Sequence, residues 1–189
     1  MPHKYLLPIF LIVFIAVVNV LRFIDLEGLP NGYMFDEETS SVTLQCLAEK
    51  GIAPLNDDRY PLFGELGVGN PKPPTYMYPG MVWVKFFGFS SGSVRALTTF
   101  SFIIALLGLF AVARYWGGTM CGLWVLLAGS LSPWMWSLSR MGIEGPFLLP
   151  FFIWGLFFCL KAKHVWQFIL AGSFFAATVY TYPSAKMQA

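Results

Sequence analysis

The chain alternates between long apolar runs and polar joints. Residues Tyr5 to Phe23 form a run broken only by Asn19 and Arg22. Further apolar runs cover 93–115, 119–138, 147–160 and 165–182. Several of these approach or exceed the ~20 apolar residues that cross a hydrocarbon layer of ~30 Å. The pattern predicts an all-α polytopic membrane protein with about five transmembrane helices. A cleaved signal peptide competes for the first run, because His3 and Lys4 precede it. No small-x-small cleavage site follows, which favours a retained span.

Residues 24–92 differ in character, being rich in Pro, Gly, Asp, Glu and Tyr. No uninterrupted span fits before Pro74, so this is a large first loop on the side opposite the N-terminus. Within it, Asp36 is placed to cap a short helix that runs to about Lys50 and is closed by Gly51. Val42, Leu44 and Leu47 give that helix a partial apolar face. The stretch from Tyr76 to Phe89 is apolar and aromatic but carries Pro79, Gly80 and Lys85. It suits a helix lying in the interface, with Tyr76, Tyr78 and Trp83 at headgroup depth.

Composition agrees with this pattern. Hydrophobic residues make up 57% of the 189, aromatics 18% and charged residues only 12%, with a mean hydropathy of +0.64. That balance is far from a soluble domain's. A net charge of +2 is too weak to argue for a nucleic-acid partner. Cys46, Cys121 and Cys159 are odd in number and far apart, so they supply neither a disulfide framework nor metal-ligand spacing. No internal repeat stands out. A run of five spans without a polar tail reads as part of something larger.

Charge distribution orients the chain. Nine of the ten acids lie between Asp25 and Glu65, and the tenth is Glu144. Alternating spans put Arg114, Lys161 and Lys163 in short cytoplasmic joints, where positive charge sets topology. The acidic loop, Glu144 and Lys186 then fall outside. His3 and His164 fall on the inner side, leaving no histidine for outer-face catalysis.

The candidate chemistry is therefore acidic and external. Asp36 and Glu37, in Phe35-Asp36-Glu37-Glu38, are carboxylates near a membrane surface that can take a proton from a hydroxyl nucleophile. The plainer alternative is an N-cap followed by acids that complement the helix dipole. Lys72, aimed by flanking prolines, suits a phosphate on a lipid headgroup or lipid carrier; its alternative is a snorkelling lysine. Arg95 and Arg140 are further outer-face cations, with snorkelling or structural roles as the alternative. Glu144 either pairs with Arg140, four residues before it, or approaches Asp36 to share an acid/base or metal role. Any divalent metal would fall to Asp36 and Glu144. No P-loop, dinucleotide loop or nucleophile elbow is present.

Taken in order, several motifs combine: Phe35-Asp36-Glu37, Lys72-Pro73-Pro74-Thr75-Tyr76, Phe87-Gly88-Phe89-Ser90 leading to Arg95, and Leu131-Ser132-Pro133. Ser139-Arg140 with Glu144 and the closing Tyr180-Thr181-Tyr182-Pro183-Ser184-Ala185-Lys186 complete the set. The combination resembles membrane glycosyltransferases of the GT-C superfamily, nearest to the protein O-mannosyltransferase and aminoarabinose-transferase branch. That resemblance implies transfer of a sugar from a polyprenyl-phosphate carrier to a protein, lipid or glycan hydroxyl on the periplasmic, extracellular or lumenal face. It implies Asp36 as general base, Glu37 as its neighbour, and Lys72 as the cation that meets the carrier phosphate, with Arg95 and Arg140 in support. Glu144 stands where the family usually has an aspartate. Pro71 stands where the aminoarabinose transferases have an acid, so their specificity does not carry over.

Two other classes compete: a polytopic transporter or channel fragment with an acidic outer vestibule, and a membrane scaffold whose loop binds a partner. Transport proteins usually place ionisable groups within spans near the midplane. Here the spans carry almost none.

Overall fold

The computed structural model describes residues 3–32, 34–52 and 72–181. The acids at Asp57, Asp58 and Glu65, and the closing stretch from Tyr182, lie outside the described residues. Among those described there are helices and no strands: α1 (His3–Leu21), α2 (Phe35–Lys50), α3 (Pro74–Phe87), α4 (Ser91–Leu131), α5 (Pro133–Ser139), α6 (Leu148–Lys161) and α7 (Val165–Thr181). A single 3-10 turn, Gly145–Phe147, leads into α6.

α4 is two limbs, not one rod. Gly118 has φ 77° and ψ 178°, a conformation open essentially to glycine alone. The chain reverses there: a Cβ placed on Gly122 would lie 3.0 Å from the Phe110 carbonyl oxygen, and one on Gly129 would meet Leu106. Farther out, the Thr99 hydroxyl donates to the Ser139 carbonyl at 2.8 Å. Two antiparallel limbs thus stand where the sequence predicts runs 93–115 and 119–138. The second limb ends earlier than expected, because Ser132 leaves the helix and Pro133 opens α5 at its first position.

The remaining apolar helices lie alongside these limbs. α1 packs Leu11 and Ile15 on Leu123 and reaches Ser130 through the Asn19 amide at 2.9 Å, so it runs in the direction of the second limb. α6 follows the first limb. Ile153 and Trp154 close on Gly108, whose missing side chain permits the approach, and the Trp154 indole donates to the Ile104 carbonyl. α7 returns antiparallel to α6, with Phe174 and Phe175 over Gly155.

α4 is the one helical element among the described residues long and apolar enough to cross a membrane. Tyr5–Leu21, Gly145–Lys161 and Val165–Thr181 are apolar but shorter. Their outward faces are uncovered: Phe10, Val13, Val17 and Val20 on α1 and Trp166, Phe168 and Ile169 on α7 are all more than half exposed.

Two helices of the first loop differ from expectation. α2 ends at Gly51 in the left-handed conformation, as its sequence predicts, but its N-cap is Met34, with no side-chain cap bond. Asp36 sits one position inside the helix, so it is not the cap. On the expected apolar face Leu44 and Leu47 are fully buried, whereas Val42 is exposed. α3 does not display Tyr76 at headgroup depth. Tyr76 is fully buried beside Met77, Val94, Leu97 and Phe147, because α2 covers α3 from above. Burying Leu44 and Leu47 alone is worth about 1.5–3 kcal/mol each, which is why this loop packs down as a layer.

Candidate functional site

At one end of the bundle, three separate segments converge. The Lys72 ammonium, just before α3, lies 3.5 Å from Asp36 Oδ1 on α2 and 3.3 Å from Glu144 Oε2 in the turn after α5. It also donates to the Asp36 carbonyl oxygen at 3.2 Å. The Lys72 side chain has no exposed surface and that of Glu144 is 9% exposed, whereas that of Asp36 is 50% exposed. Asp36 is thus the open member of the cluster, with Lys72 and Glu144 behind it.

The neighbouring carboxylate, Glu37, points the other way. It accepts from Arg95 Nε at 2.6 Å, from Arg95 Nη2 at 3.0 Å and from the Gly142 backbone N–H at 3.1 Å. Both side chains are 1% exposed. One buried pair therefore ties α2 to the start of α4 and to the turn that carries Glu144. Gly142 is held from its other side as well, since the Tyr76 hydroxyl donates to its carbonyl at 3.0 Å. Burial, and then the nearby Glu144 and Glu37 carboxylates, push the Tyr76 phenol above its ordinary value, so it stays a donor.

Arg95 and Arg140 gather the chain between α1 and α2. Arg95 donates to the carbonyls of Leu26, Glu27, Pro30 and Gly32. Arg140 donates to those of Arg22, Ile24, Asp25 and Leu29. Burial lowers the Arg140 guanidinium below the ordinary arginine value, with Asp25 opposing that shift. Each arginine thus acts as a scaffold for an irregular loop, supplying donors to backbone oxygens that no regular ladder serves. The local pairing of Glu144 with Arg140 does not form; Glu144 faces Lys72 instead.

Arg22, a mere interruption of the first apolar run by sequence, is a third such clamp. It is fully buried and donates to the Gly129 and Ser130 carbonyls at the end of α4, to the Met135 carbonyl and to the Ser139 hydroxyl. Its guanidinium lies 4.7 Å from the Trp136 ring centroid. A cation near a helix C-terminus satisfies orphan carbonyls and the dipole together. The signal available in sequence was an arginine at the edge of an apolar run, with serines at 130, 132, 137 and 139.

No family model, curated protein or solved structure matches this chain. The site must be read from its own chemistry. Among the described residues no three His, Cys, Asp or Glu side chains come together to hold a metal ion. The two carboxylates considered for a metal already share one cation, the Lys72 ammonium.

Beside the cluster, an apolar groove of about 630 Å³ opens between α3, α4, α6 and α7. Tyr78, Trp83, Phe100, Phe147, Phe151 and Trp154 are among its walls. Phe147 connects groove and cluster: it follows Glu144 by three residues, and its ring meets Tyr76 edge-on at 5.2 Å.

Proposed function

We propose that this chain is a multi-pass membrane protein whose Asp36–Lys72–Glu144 cluster transfers a sugar from a polyprenyl-phosphate carrier to an acceptor hydroxyl on the non-cytoplasmic face. The observation that carries the reading is the meeting of a half-exposed carboxylate and a buried ammonium, drawn from distant segments, beside a groove with almost no polar lining. The uncovered apolar faces of α1 and α7 support a lipid surrounding, since soluble monomers rarely expose patches of that extent.

In this reading the acceptor oxygen attacks the anomeric carbon while the bond from that carbon to the phosphate oxygen breaks. The acceptor proton passes to Asp36, and the carrier leaves as a polyprenyl phosphate anion. General-base assistance of this kind contributes typically 10²–10⁴-fold. Lys72, with no exposed surface, acts through space from behind Asp36: its positive charge opposes the charge developing on the phosphate. Glu144 holds the ammonium against Asp36. The groove receives the isoprenoid chain from the bilayer, so no cytosolic nucleotide pocket is needed. Glu37, Arg95 and Arg140 are positioning residues in this scheme, because their polar atoms engage one another and the backbone.

The test is transfer from labelled polyprenyl-phosphate sugars by the full chain in membranes, comparing Asp36→Asn with the parent. Loss of transfer by about 10² or more is expected, and equal transfer would remove Asp36 from the mechanism. External labelling of single cysteines tests the topology: a site introduced at Lys161 should be protected, and reactivity there would overturn the orientation.

A further inference from the structure

The opposite end of the bundle holds a second, chemically distinct cavity. It measures about 340 Å³ and is lined by Phe110, Ala111, Arg114, Tyr115, Phe157 and Lys161. That volume is at the small end of the roughly 300–1,000 Å³ typical of small-molecule sites. We propose that it binds the phosphate of an anionic phospholipid, with Arg114 and Lys161 as the cation pair and the Phe110 and Phe157 rings against the adjoining acyl chain.

Four observations converge on this ligand. The two cations come from different helices, the first limb of α4 and α6, and face one hollow. Among the described residues no carboxylate answers them: α4, α6 and α7 contain no Asp or Glu, and the three ion pairs found there lie at the other end. The Lys161 ammonium rests 5.0 Å from the Phe157 ring centroid, which steadies the cation while leaving its N–H groups available. Finally, Tyr115, Trp116 and Trp166 stand exposed around this end, as aromatic residues do at a membrane–water boundary.

A role restricted to helix dipoles explains part of the pattern, since Lys161 ends α6 and Arg114 nears the end of the first limb. That role needs one exposed cation per helix and no shared cavity with an aromatic floor. A free phosphate ion would meet the same two cations but gain nothing from Phe110 and Phe157. Basic pockets between helices on the cytoplasmic side suit anionic headgroups, and this end is the cytoplasmic one in the topology proposed above. The inference rests on that membrane reading and not on sugar transfer, so a failed transfer assay leaves it standing.

The experiment measures lipid retention by native mass spectrometry of the full chain, exchanged from detergent into mixed micelles containing phosphatidylglycerol or phosphatidylcholine. Each cation near a charged headgroup contributes on the order of five-fold, so with two cations the parent should prefer phosphatidylglycerol by about twenty-five-fold. Arg114→Gln with Lys161→Gln should bring the preference near parity, while Lys163→Gln should keep most of it. Circular dichroism in zwitterionic detergent shows that each variant is folded. The proposal is overturned by equal retention of the two lipids by the parent, or by a preference unchanged in the double variant. It is equally overturned if millimolar inorganic phosphate alone displaces the lipid.

Discussion

Glu37→Gln tests the physical core of the site without touching Asp36, Lys72 or Glu144. The parent carboxylate takes three donors, two from Arg95 and one from Gly142, in surroundings where each side chain is 1% exposed. Removing one partner of such a buried pair leaves the other charge uncompensated, at about 3–5 kcal/mol. Glutamine keeps one acceptor oxygen, and Arg95 keeps four carbonyl partners, so the lower end applies, about 3 kcal/mol. For a chain of this size that lowers the melting temperature by roughly 6–12 °C. Arg95→Met should cost more, because it strands both Glu37 and the loop carbonyls of Leu26, Glu27, Pro30 and Gly32. The double variant should cost less than the sum, since neither charge is then left alone. Unfolding in mixed micelles followed by tryptophan fluorescence reads all three. A Glu37→Gln shift corresponding to under about 0.5 kcal/mol, the level of an ordinary surface substitution, or strict additivity in the double variant, would refute the buried-clamp account.

Other outcomes follow from the same geometry. Lys72→Met removes the cation that Asp36 and Glu144 share; it should abolish the proposed transfer and destabilise by about 3 kcal/mol, with Glu144→Gln in the same background restoring part of the stability but none of the transfer. Gly118→Ala places a side chain where φ is 77° and should cost about 1–3 kcal/mol in thermal unfolding. Gly172→Ala meets no atom within 4 Å in the middle of α7 and should instead stabilise by about 0.5–1 kcal/mol. Tyr76 has its folded value raised, so its stabilising contribution is complete below the free phenol's value near pH 10 and is lost as pH rises above it. Tyr76→Phe should lower stability at neutral pH by about 1 kcal/mol and lose less on going to pH 11 than the parent does.

The relation between sequence and site differs from residue to residue. The neighbourhood of Asp36 and Lys72 was legible, because an acid triplet and a proline-flanked lysine are conspicuous in a chain with so few charges. Glu144 was visible as an isolated acid, but its partner was not. Arg140 is near in sequence, yet the carbonyls of 22–29 offer that guanidinium several acceptors, while Lys72 arrives from seventy-two residues away. The opposite fates of Asp36 and Glu37 were equally hidden. Adjacent helical positions point about 100° apart, so one faces Lys72 and the other Arg95. Tyr76 at the interface failed because local rules assume a free face, and α2 and α3 cover each other; Asp36 failed as N-cap because α2 already starts at Phe35, and its carboxylate turns to Lys72 instead.

The apolar runs by themselves determined an all-α class, a break between the runs 93–115 and 119–138, and the gathering of nine of the ten acids between Asp25 and Glu65. Those features depend on local spacing and on backbone restrictions, which a short window of sequence already contains. Only the tertiary structure decided which cations meet which anions. Arg22, Arg95 and Arg140 are drawn inward to backbone carbonyls and, for Arg95, to Glu37, leaving Lys72 to Asp36 and Glu144 at one end and Arg114 with Lys161 at the other, with no carboxylate partner among the described residues. A buried charge takes whatever partner packing brings within about 3 Å, the reach of a hydrogen bond, and that choice is made across distances no local pattern records.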